Sequence, residues 1–263
     1  MDTRKLKKIL FSKIFNWKIF VSFPILLRVV SFFLPFRYSI KTKEVFSDGS
    51  KLVIARNKRL FYYVNGLNFR FEEIIKDYLC DRISLNESSV VIDIGSNIGE
   101  FSIAINKYFG VKQIIAFEPD PTEYIALTKN FLPIIKNDPI KVALSNESKD
   151  YVSFYLNNDT GDSSLVNSSG ECIKIPVDTL DNQIKDLTHI TLIKLEAEGF
   201  EPEILHGGLK TLKRTKYIVV DCGPERNGEK TIREVTKILV QLGFELVDIN
   251  NSRFTLLFEN SLI

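Results

Sequence analysis

A chain of 263 residues reaches the upper size of a single domain, which excludes an array of several large domains and allows one domain with an appendage. Its composition, 44% apolar and 26% charged, is ordinary for a soluble fold. The formal net charge of +2 hides an asymmetry: residues 1–43 hold ten Lys and Arg and one acid, whereas the rest holds 25 basic and 32 acidic residues. A basic arm of this kind suggests an anionic partner.

The first predicted segment, residues 1–43, is a basic and apolar helical extension. Residues 5–22 have apolar side chains at spacings of three and four, which predicts an amphipathic helix, and a second apolar run covers residues 25–36. Pro24 and Arg28 argue against a membrane-spanning helix, and no small-residue site typical of a cleaved signal peptide follows. Three alternatives remain open: a helical cap packed on the catalytic domain, peripheral contact with a membrane surface, and a membrane span in spite of Pro24 and Arg28.

The second predicted segment, residues 44–87, is a small β-hairpin and helix unit on the substrate side. An Asp-Gly and an Asn-Gly pair, both typical of hairpin turns, divide residues 44–71 into two or three short antiparallel strands. A helix at about 71–80 then leads into an apolar strand.

From residue 88 to 263 strands and helices alternate, which is typical of a parallel α/β sheet. The predicted strands are 90–94, 113–118, 139–144, 190–195 and 216–221, and the predicted helices are 99–109, 121–131, 178–185, 201–212 and 229–242. Residues 150–176 are predicted to be an insertion with two β-like segments around a polar loop. The end of the chain, residues 244–260, has the pattern of a hairpin, so we expect the last strand to enter the sheet antiparallel. The fold class is therefore a Rossmann-like α/β fold with a mostly parallel sheet.

Ligands of such sheets bind outside the carboxyl ends of the strands. The loop after the first strand offers five candidate residues: Asp93, Gly95, Ser96, Asn97 and Gly99. Its glycines allow positive φ and close approach of a ligand. Asn97 takes the place of the middle glycine of the nicotinamide fingerprint, and Glu100 adds an acid at the helix start. A ligand without phosphates therefore suits this loop better than a dinucleotide.

The next two strands also end in polar residues. Glu118 lies 23 residues beyond Gly95, close to the offset of about 20 at which an acid binds a ribose hydroxyl pair. A carboxylate suits that position because it accepts two hydroxyl hydrogens at once. Ser145, after the third strand, offers a polar contact for an adenine edge.

The fourth strand ends in two acids, Glu196 and Glu198. If the strand continues through them, both side chains point to one side of the chain, where they act as a general base or bind a divalent metal. The alternative is that Glu198 caps or orients the next helix. Asp221 and Glu225 follow the fifth strand.

In order and spacing, these segments resemble the FkbM family of S-adenosylmethionine-dependent methyltransferases over about residues 88–260. The segments that carry the resemblance are VVIDIGSNIGEFS, AFEPDP, ALSN, VDTLD and LIKLEAEGFEPEILHGG. The resemblance implies a class I methyltransferase sheet of seven strands with the last one antiparallel. It also implies O-methylation, often of a sugar or polyketide hydroxyl.

Residue roles follow from the resemblance by position. Asp93, Gly95, Asn97 and Gly99, with Ser96 in the same loop, would surround the methionine part of S-adenosylmethionine. Glu118 would hold the ribose hydroxyls, and Ser145 would lie near the adenine. The family usually has Asp where this chain has Glu196, and Glu where it has Asp221.

We therefore expect an O-methyltransferase for a small-molecule or glycan acceptor, with Glu196 or Glu198 as the base and no assigned metal ligand. The alternatives are an NAD-dependent oxidoreductase and a non-catalytic binding protein that keeps the fold. We expect no nucleic-acid partner. The three cysteines are far apart and show no Cys-x-x-Cys spacing, so we expect a reducing, cytoplasmic location, with membrane contact through residues 1–43 as an added alternative.

Overall fold

A computed structural model describes residues 35–157, 163–165, 170–226 and 228–263. The predicted helix at 5–22 lies outside these residues, as does most of the second apolar run. The chain divides into two compact units, Met1–Glu73 and Ile74–Ile263. Within the described ranges, no helix is both long enough and apolar enough to cross a membrane.

The first unit contains a three-stranded antiparallel sheet. Its strands are β1 (Arg37–Ser39), β2 (Glu44–Ser47) and β3 (Ser50–Val53), in the order β1-β2-β3. Asp48 and Gly49 both have positive φ, as a two-residue hairpin turn between β2 and β3 requires. The prediction of short antiparallel strands is thus confirmed.

The Asn-Gly pair at 65–66 does not form a hairpin turn, and that prediction is wrong. A 3-10 helix, Asn57–Tyr63, precedes it, and helix α1 (Leu67–Asp77) follows directly. Gly66 has a φ of +91°, and its N–H donates to the carbonyl of Tyr63. The glycine therefore connects two helices. Helix α1 begins at Leu67, four residues before the helix predicted at about 71–80.

The second unit is organised around a six-stranded sheet. Its strands are β4 (Val90–Ile94), β5 (Gln113–Phe117), β9 (Ile190–Leu195), β10 (Thr215–Asp221), β11 (Phe244–Asn250) and β12 (Thr255–Asn260). Their order in the sheet is β11-β12-β10-β9-β4-β5. The neighbours β5, β4, β9 and β10 are parallel, whereas β12 is antiparallel to both β10 and β11. The expected antiparallel last strand is confirmed, and it lies between β10 and β11.

The third predicted strand, 139–144, is not a strand of this sheet. Ile140 forms a single parallel bridge with Phe117, next to β5. Pro139 has no N–H to extend that pairing toward its N-terminal side. The chain then leaves the sheet, and β6 (Ala143–Ser145) pairs with β8 in a separate sheet of order β6-β8-β7. The sheet therefore has six strands rather than the seven that the family resemblance implies.

The predicted insertion contributes most of that smaller sheet. Its two long strands, β7 (Lys149–Leu156) and β8 (Glu171–Thr179), pair antiparallel around residues 152–156 and 171–175. They contain both segments that the sequence pattern marks as β-like. Of the loop between them, the structure describes residues 163–165.

The helices of the second unit are shorter than predicted in places. They are α2 (Glu100–Phe109), α3 (Pro121–Phe131), α4 (Leu180–Gln183), α5 (Glu201–His206), α6 (Leu209–Leu212) and α7 (Ile232–Gln241), with a 3-10 helix at Cys80–Arg82. The single helix expected at 201–212 is split at Gly207 and Gly208. A Cβ at Gly207 would lie 1.9 Å from the carbonyl oxygen of Ser145, so the chain passes the end of β6 too closely for another residue.

Polar residues of the second unit gather at one edge of the buried parallel sheet. All five residues of β4 are buried, as are five of the six in β9, which is typical of parallel strands covered on both faces. Because β4, β5, β9 and β10 run in the same direction, their carboxyl ends meet at one edge of the sheet. Asp93, Glu118, Glu196 and Asp221 lie in or directly after those strand ends.

Candidate active site

The glycine loop, residues 95–99, connects β4 to α2. Gly95 has a φ of +71°, and a Cβ there would lie 1.8 Å from the carbonyl oxygen of Glu196. Glycine is therefore required where the loop passes the end of β9. Asn97 is also left-handed, at φ +51°, and Gly99, at φ +89°, is the N-cap of α2. The strand, turn and helix predicted from this stretch are confirmed.

Hydrogen bonds of Asp93 and Ser96 attach the glycine loop to β4 and α2. The Asp93 side chain is fully buried, and its Oδ2 accepts a hydrogen bond of 2.7 Å from the Ser102 hydroxyl in α2. The Ser96 hydroxyl donates to the Asp93 carbonyl oxygen at 2.7 Å. These contacts fix the loop between the strand and the helix.

Glu118 is buried against the glycine loop. Its Oε2 accepts the Asn97 N–H at 2.7 Å, and its Oε1 accepts the Asp120 N–H at 2.8 Å. Each carboxylate oxygen keeps a further lone pair. Burial raises the pKa of Glu118 to about 8, with Glu123 and Asp120 adding to the shift and the two backbone N–H groups opposing it. The structure thus brings Glu118 against the glycine loop, and the ribose role of Glu118 stays a prediction.

Ser145 belongs to the smaller sheet, at the end of β6. It is buried, and its hydroxyl donates to Asn146 Oδ1 at 3.1 Å. It follows the Ile140 bridge to β5 by five residues, so it lies on the chain that leaves the sheet on the Glu118 side. Its contact with an adenine stays a prediction.

Glu196, directly after β9, lies in a cluster of charged groups. Its carboxylate accepts hydrogen bonds from the Tyr78 hydroxyl and from Arg253, the latter at 2.7 Å, and lies 3.2 Å from the Lys194 ammonium. Burial alone would raise its pKa, but Lys194 and Arg253 outweigh burial and hold the pKa of Glu196 well below its usual range. Glu196 is therefore a carboxylate held ionised by two cations.

Lys194 connects this cluster to the glycine loop. Its side chain, 2% exposed, donates to the Gly95 carbonyl at 2.7 Å and to the Ile94 carbonyl at 3.2 Å, and its ammonium lies 3.3 Å from Asp93 Oδ1. Burial would lower the pKa of Lys194, but Asp93 and Glu196 outweigh it and raise the pKa. The lysine is therefore charged in the interior because two carboxylates surround it.

Arg253, in the β11–β12 connection, closes the cluster. One guanidinium nitrogen reaches both Glu196 and, at 2.9 Å, Asp221 Oδ2 at the end of β10. The guanidinium also lies 5.3 Å from the centre of the Tyr78 ring. Burial raises the pKa of Asp221, and Glu196 adds to this, whereas Arg253 opposes it.

Glu198 lies in a different environment, on the turn between β9 and α5. β9 ends at Leu195, and Glu198 has a φ of +52°, so the strand alternation that would place it beside Glu196 does not continue. Glu201 holds this turn by accepting the N–H groups of Ala197 and Gly199 at 2.9 and 3.1 Å. Arg226 donates to the Gly199 carbonyl at 2.7 Å.

The smaller sheet also reaches this turn. The Ser164 hydroxyl, in the insertion, donates to the Glu198 carbonyl oxygen at 3.1 Å. Its neighbour Ser163 donates to Asp120 Oδ2 at 2.8 Å, two residues after Glu118. The insertion therefore contacts both the Glu118 side and the Glu198 side of the sheet edge.

Sequence reasoning missed three members of the cluster: Tyr78, Lys194 and Arg253. Lys194 carried a signal, because a lysine near the end of a largely apolar parallel strand is buried and needs anionic partners. Tyr78 and Arg253 carried none, since each comes from a segment far away along the chain. Among the described residues, no group of three or more His, Cys, Asp or Glu is arranged to hold a metal ion.

Comparisons with known proteins identify the family of the chain and relatives of its fold. A family model described as the methyltransferase FkbM domain matches residues 93–246. The methyltransferase sdnD of Sordaria araneosa is 27% identical over 191 residues, which cover 57% of this chain and 73% of that protein. The 2-O-methyltransferase NoeI of Sinorhizobium fredii (strain NBRC 101917 / NGR234) is 25% identical over 180 residues, which cover 60% and 73%.

A solved structure has a similar fold. The methyltransferase FkbM from Methylobacillus flagellatus KT aligns with a TM-score of 0.52 and 16% identity. The alignment covers 78% of this chain and 56% of that one, so this chain spans little more than half of the solved protein.

Proposed function

Because the chain belongs to the FkbM family of S-adenosylmethionine-dependent methyltransferases, we propose that it methylates a hydroxyl oxygen of a sugar, a glycan or a related metabolite. One relative is named a 2-O-methyltransferase, which supports oxygen as the methyl acceptor. The acidic edge of the sheet also supports a hydroxyl acceptor, because carboxylates accept hydrogen bonds from hydroxyl groups.

The observation that carries the proposal is Glu118 against the glycine loop. Its two oxygens each accept one backbone N–H and each have room for one further hydrogen bond, so the carboxyl group fits a ribose with two adjacent hydroxyls. In this proposal the loop of Gly95, Ser96, Asn97 and Gly99, based on Asp93, surrounds the methionine part, and Ser145 lies near the adenine. S-adenosylmethionine, when bound, supplies a methyl group on a positively charged sulfur.

The residues of this chain would then orient the acceptor and take its proton. Glu198 is the better candidate for the base, because Lys194 and Arg253 keep Glu196 ionised and make it a weak proton acceptor. Glu201 and Arg226 fix the backbone on both sides of Glu198, so its side chain projects from a fixed point of the turn. Holding the acceptor oxygen in line with the methyl carbon supplies most of the rate.

Calorimetry with S-adenosylhomocysteine and NAD tests the cofactor assignment. We expect the intact protein to bind S-adenosylhomocysteine and Glu118→Ala to bind it at least tenfold more weakly, because the ribose hydroxyls lose their acceptor. Glu87→Ala, at an exposed acid, is the matched control and should change nothing. Tight binding of NAD without binding of S-adenosylhomocysteine would overturn the proposal.

Radiolabelled methyl transfer into glycan and lipid extracts tests the acceptor. Base-stable label in an O-methylated sugar is the expected product. Glu198→Gln should lower its formation about 100-fold while the affinity for S-adenosylhomocysteine stays within threefold. Full activity of Glu198→Gln would exclude Glu198 as the base.

A further inference from the structure

Lys194 contacts both halves of the candidate site. On one side its ammonium donates to the carbonyls of Ile94 and Gly95, at the start of the glycine loop. On the other side it pairs with Glu196, which begins the turn that carries Glu198. A side chain that bonds to both loops ties the position of one to the position of the other.

The burial of Lys194 makes this connection sensitive to its partners. A buried ammonium is stable only while it is paired and hydrogen-bonded. The structure satisfies Lys194 with two carbonyls and with two carboxylates, Asp93 and Glu196, at 3.3 and 3.2 Å. Loss of one carboxylate would let the ammonium move toward the other and weaken its bond to the Gly95 carbonyl.

We propose that Lys194 is a positioning residue that couples the conformation of the glycine loop, and so cofactor binding, to the charge of Glu196. The inference rests on the proposed function, because the glycine loop is taken to bind S-adenosylmethionine. It assigns Glu196 to this coupling, while Glu198 takes the acceptor proton.

Arg253 provides a matched comparison within the same cluster. It also pairs with Glu196, but the structure places it against Asp221, Asp77 and Tyr78 rather than against the glycine loop. Removing Arg253 therefore takes one cation from Glu196 and leaves the bonds to Gly95 in place. Removing Lys194 takes one cation from Glu196 and also removes the donor at Gly95.

The first experiment measures the affinity for S-adenosylhomocysteine by calorimetry, with folding checked by thermal denaturation. Lys194→Met should raise the Kd at least tenfold, whereas Arg253→Gln should change it less than threefold at pH 7.5. Equal affinities for Lys194→Met and the intact protein would show a structural role only and would overturn the inference. If the intact protein does not bind S-adenosylhomocysteine, the proposed function fails and the inference fails with it.

A second experiment keeps Lys194 in place and decides the matter even if Lys194→Met does not fold. In Arg253→Gln, Glu196 keeps Lys194 and Tyr78 as partners and Asp221 and Glu225 as neighbouring acids, so its pKa rises. The ratio of the Kd of Arg253→Gln to that of the intact protein should therefore increase between pH 7 and pH 5. Common ionisations, such as that of Glu118, cancel in this ratio.

The control for the second experiment repeats it in a Glu196→Gln background. There the ratio between the proteins with and without Arg253 should stay constant with pH, since Asp221 and Glu225 remain and only Glu196 is absent. The inference would be overturned if the Kd ratio stayed constant with pH in the protein that keeps Glu196. It would also be overturned if the ratio increased equally with Glu196 and with Gln at position 196.

Discussion

The ionisable side chains that lie buried at the edge of the sheet include more acids than bases. Arg253 serves both Glu196 and Asp221, and Glu225 follows them with a buried Oε2 that has no hydrogen-bond partner among the described residues. Burial raises the pKa of Glu225 to about 8, and the nearby Asp221 and Glu196 add to the shift. In the folded protein Glu225 therefore stays protonated at a pH where the unfolded chain has lost that proton.

This difference predicts how stability depends on pH. The unfolded group titrates near pH 4.3, so the contribution of Glu225 is fully present below that pH and is lost as the pH rises to about 8. When the pH is raised from 5 to 8, the free energy of unfolding of the intact protein should fall further than that of Glu225→Gln. We expect the difference to be on the order of 1 kcal/mol, since solvent screens part of the effect. Urea denaturation at both values measures it.

Glu229→Gln is the control for that measurement, because Glu229 is exposed and four residues away. It should keep the pH dependence of the intact protein. Equal slopes for Glu225→Gln and the intact protein would contradict the prediction.

At the scale of elements, the passage from β4 through the glycine loop into α2 depends on Gly95. Gly95→Ala adds both left-handed strain and a clash, because the new Cβ would lie 1.8 Å from the Glu196 carbonyl oxygen. We expect a loss of about 3 kcal/mol or more in the free energy of unfolding, together with loss of S-adenosylhomocysteine binding. Urea denaturation and calorimetry measure the two effects.

Gly49→Ala separates strain from clash. Gly49 has nearly the same φ, +72°, but no atom lies within 4 Å of the added Cβ. It should cost about 1 kcal/mol, the price of a left-handed alanine alone. If the two substitutions cost the same, close approach to Glu196 is not the reason for glycine at position 95.

Elements could be predicted where local pattern and tertiary structure agree. β4 and β9 were predicted with their observed ends, because buried parallel strands appear in the sequence as short apolar runs. The predictions of a strand at 139–144 and of a single helix at 201–212 were wrong because of tertiary contacts. The first segment leaves the sheet after one bridge, and the second is split where Gly207 passes Ser145. Pro139 and the Gly207-Gly208 pair are local signs of these breaks, but the contacts that decide them come from the tertiary structure.

At the scale of the whole molecule, the strand ends could be predicted but their partners could not. Parallel strands bring Glu118, Glu196 and Asp221 to one edge, so the order of the strands is enough to gather them. Tyr78 and Arg253 are 175 residues apart in sequence, and only the completed fold brings them to Glu196. The carboxylates of the site were therefore found from the sequence, and the cations that control them were not.

The basic arm is the second feature at this scale. The arm is residues 1–43, and residues 1–34 hold seven of its ten Lys and Arg and its one acid. We predict that the arm binds anionic membranes. Deletion of residues 1–34 retains β1–β3 and should release the protein from phosphatidylserine vesicles in a sedimentation assay. Replacing Lys5, Lys7 and Lys8 by Gln should weaken binding by about 1 kcal/mol for each lysine.

Neutral vesicles and high salt are the controls, since both remove the electrostatic attraction. Full binding after deletion, or no binding of the intact chain, would end the membrane hypothesis and favour an arm that serves as a cap.

The position of β12 has a consequence for the order in which the protein is made and folded. β10 and β11 are synthesised before β12, yet β12 separates them in the sheet. β10 can pair with β9 beforehand, but β11 joins the sheet only through β12. Arg253 arrives with that last hairpin, and until then Glu196 and Asp221 lack the cation they share. Pairing between strands that are far apart in sequence, such as β10 and β12, is slow. The charge balance of the candidate site is therefore incomplete in any partly folded chain in which β12 has not yet joined β10.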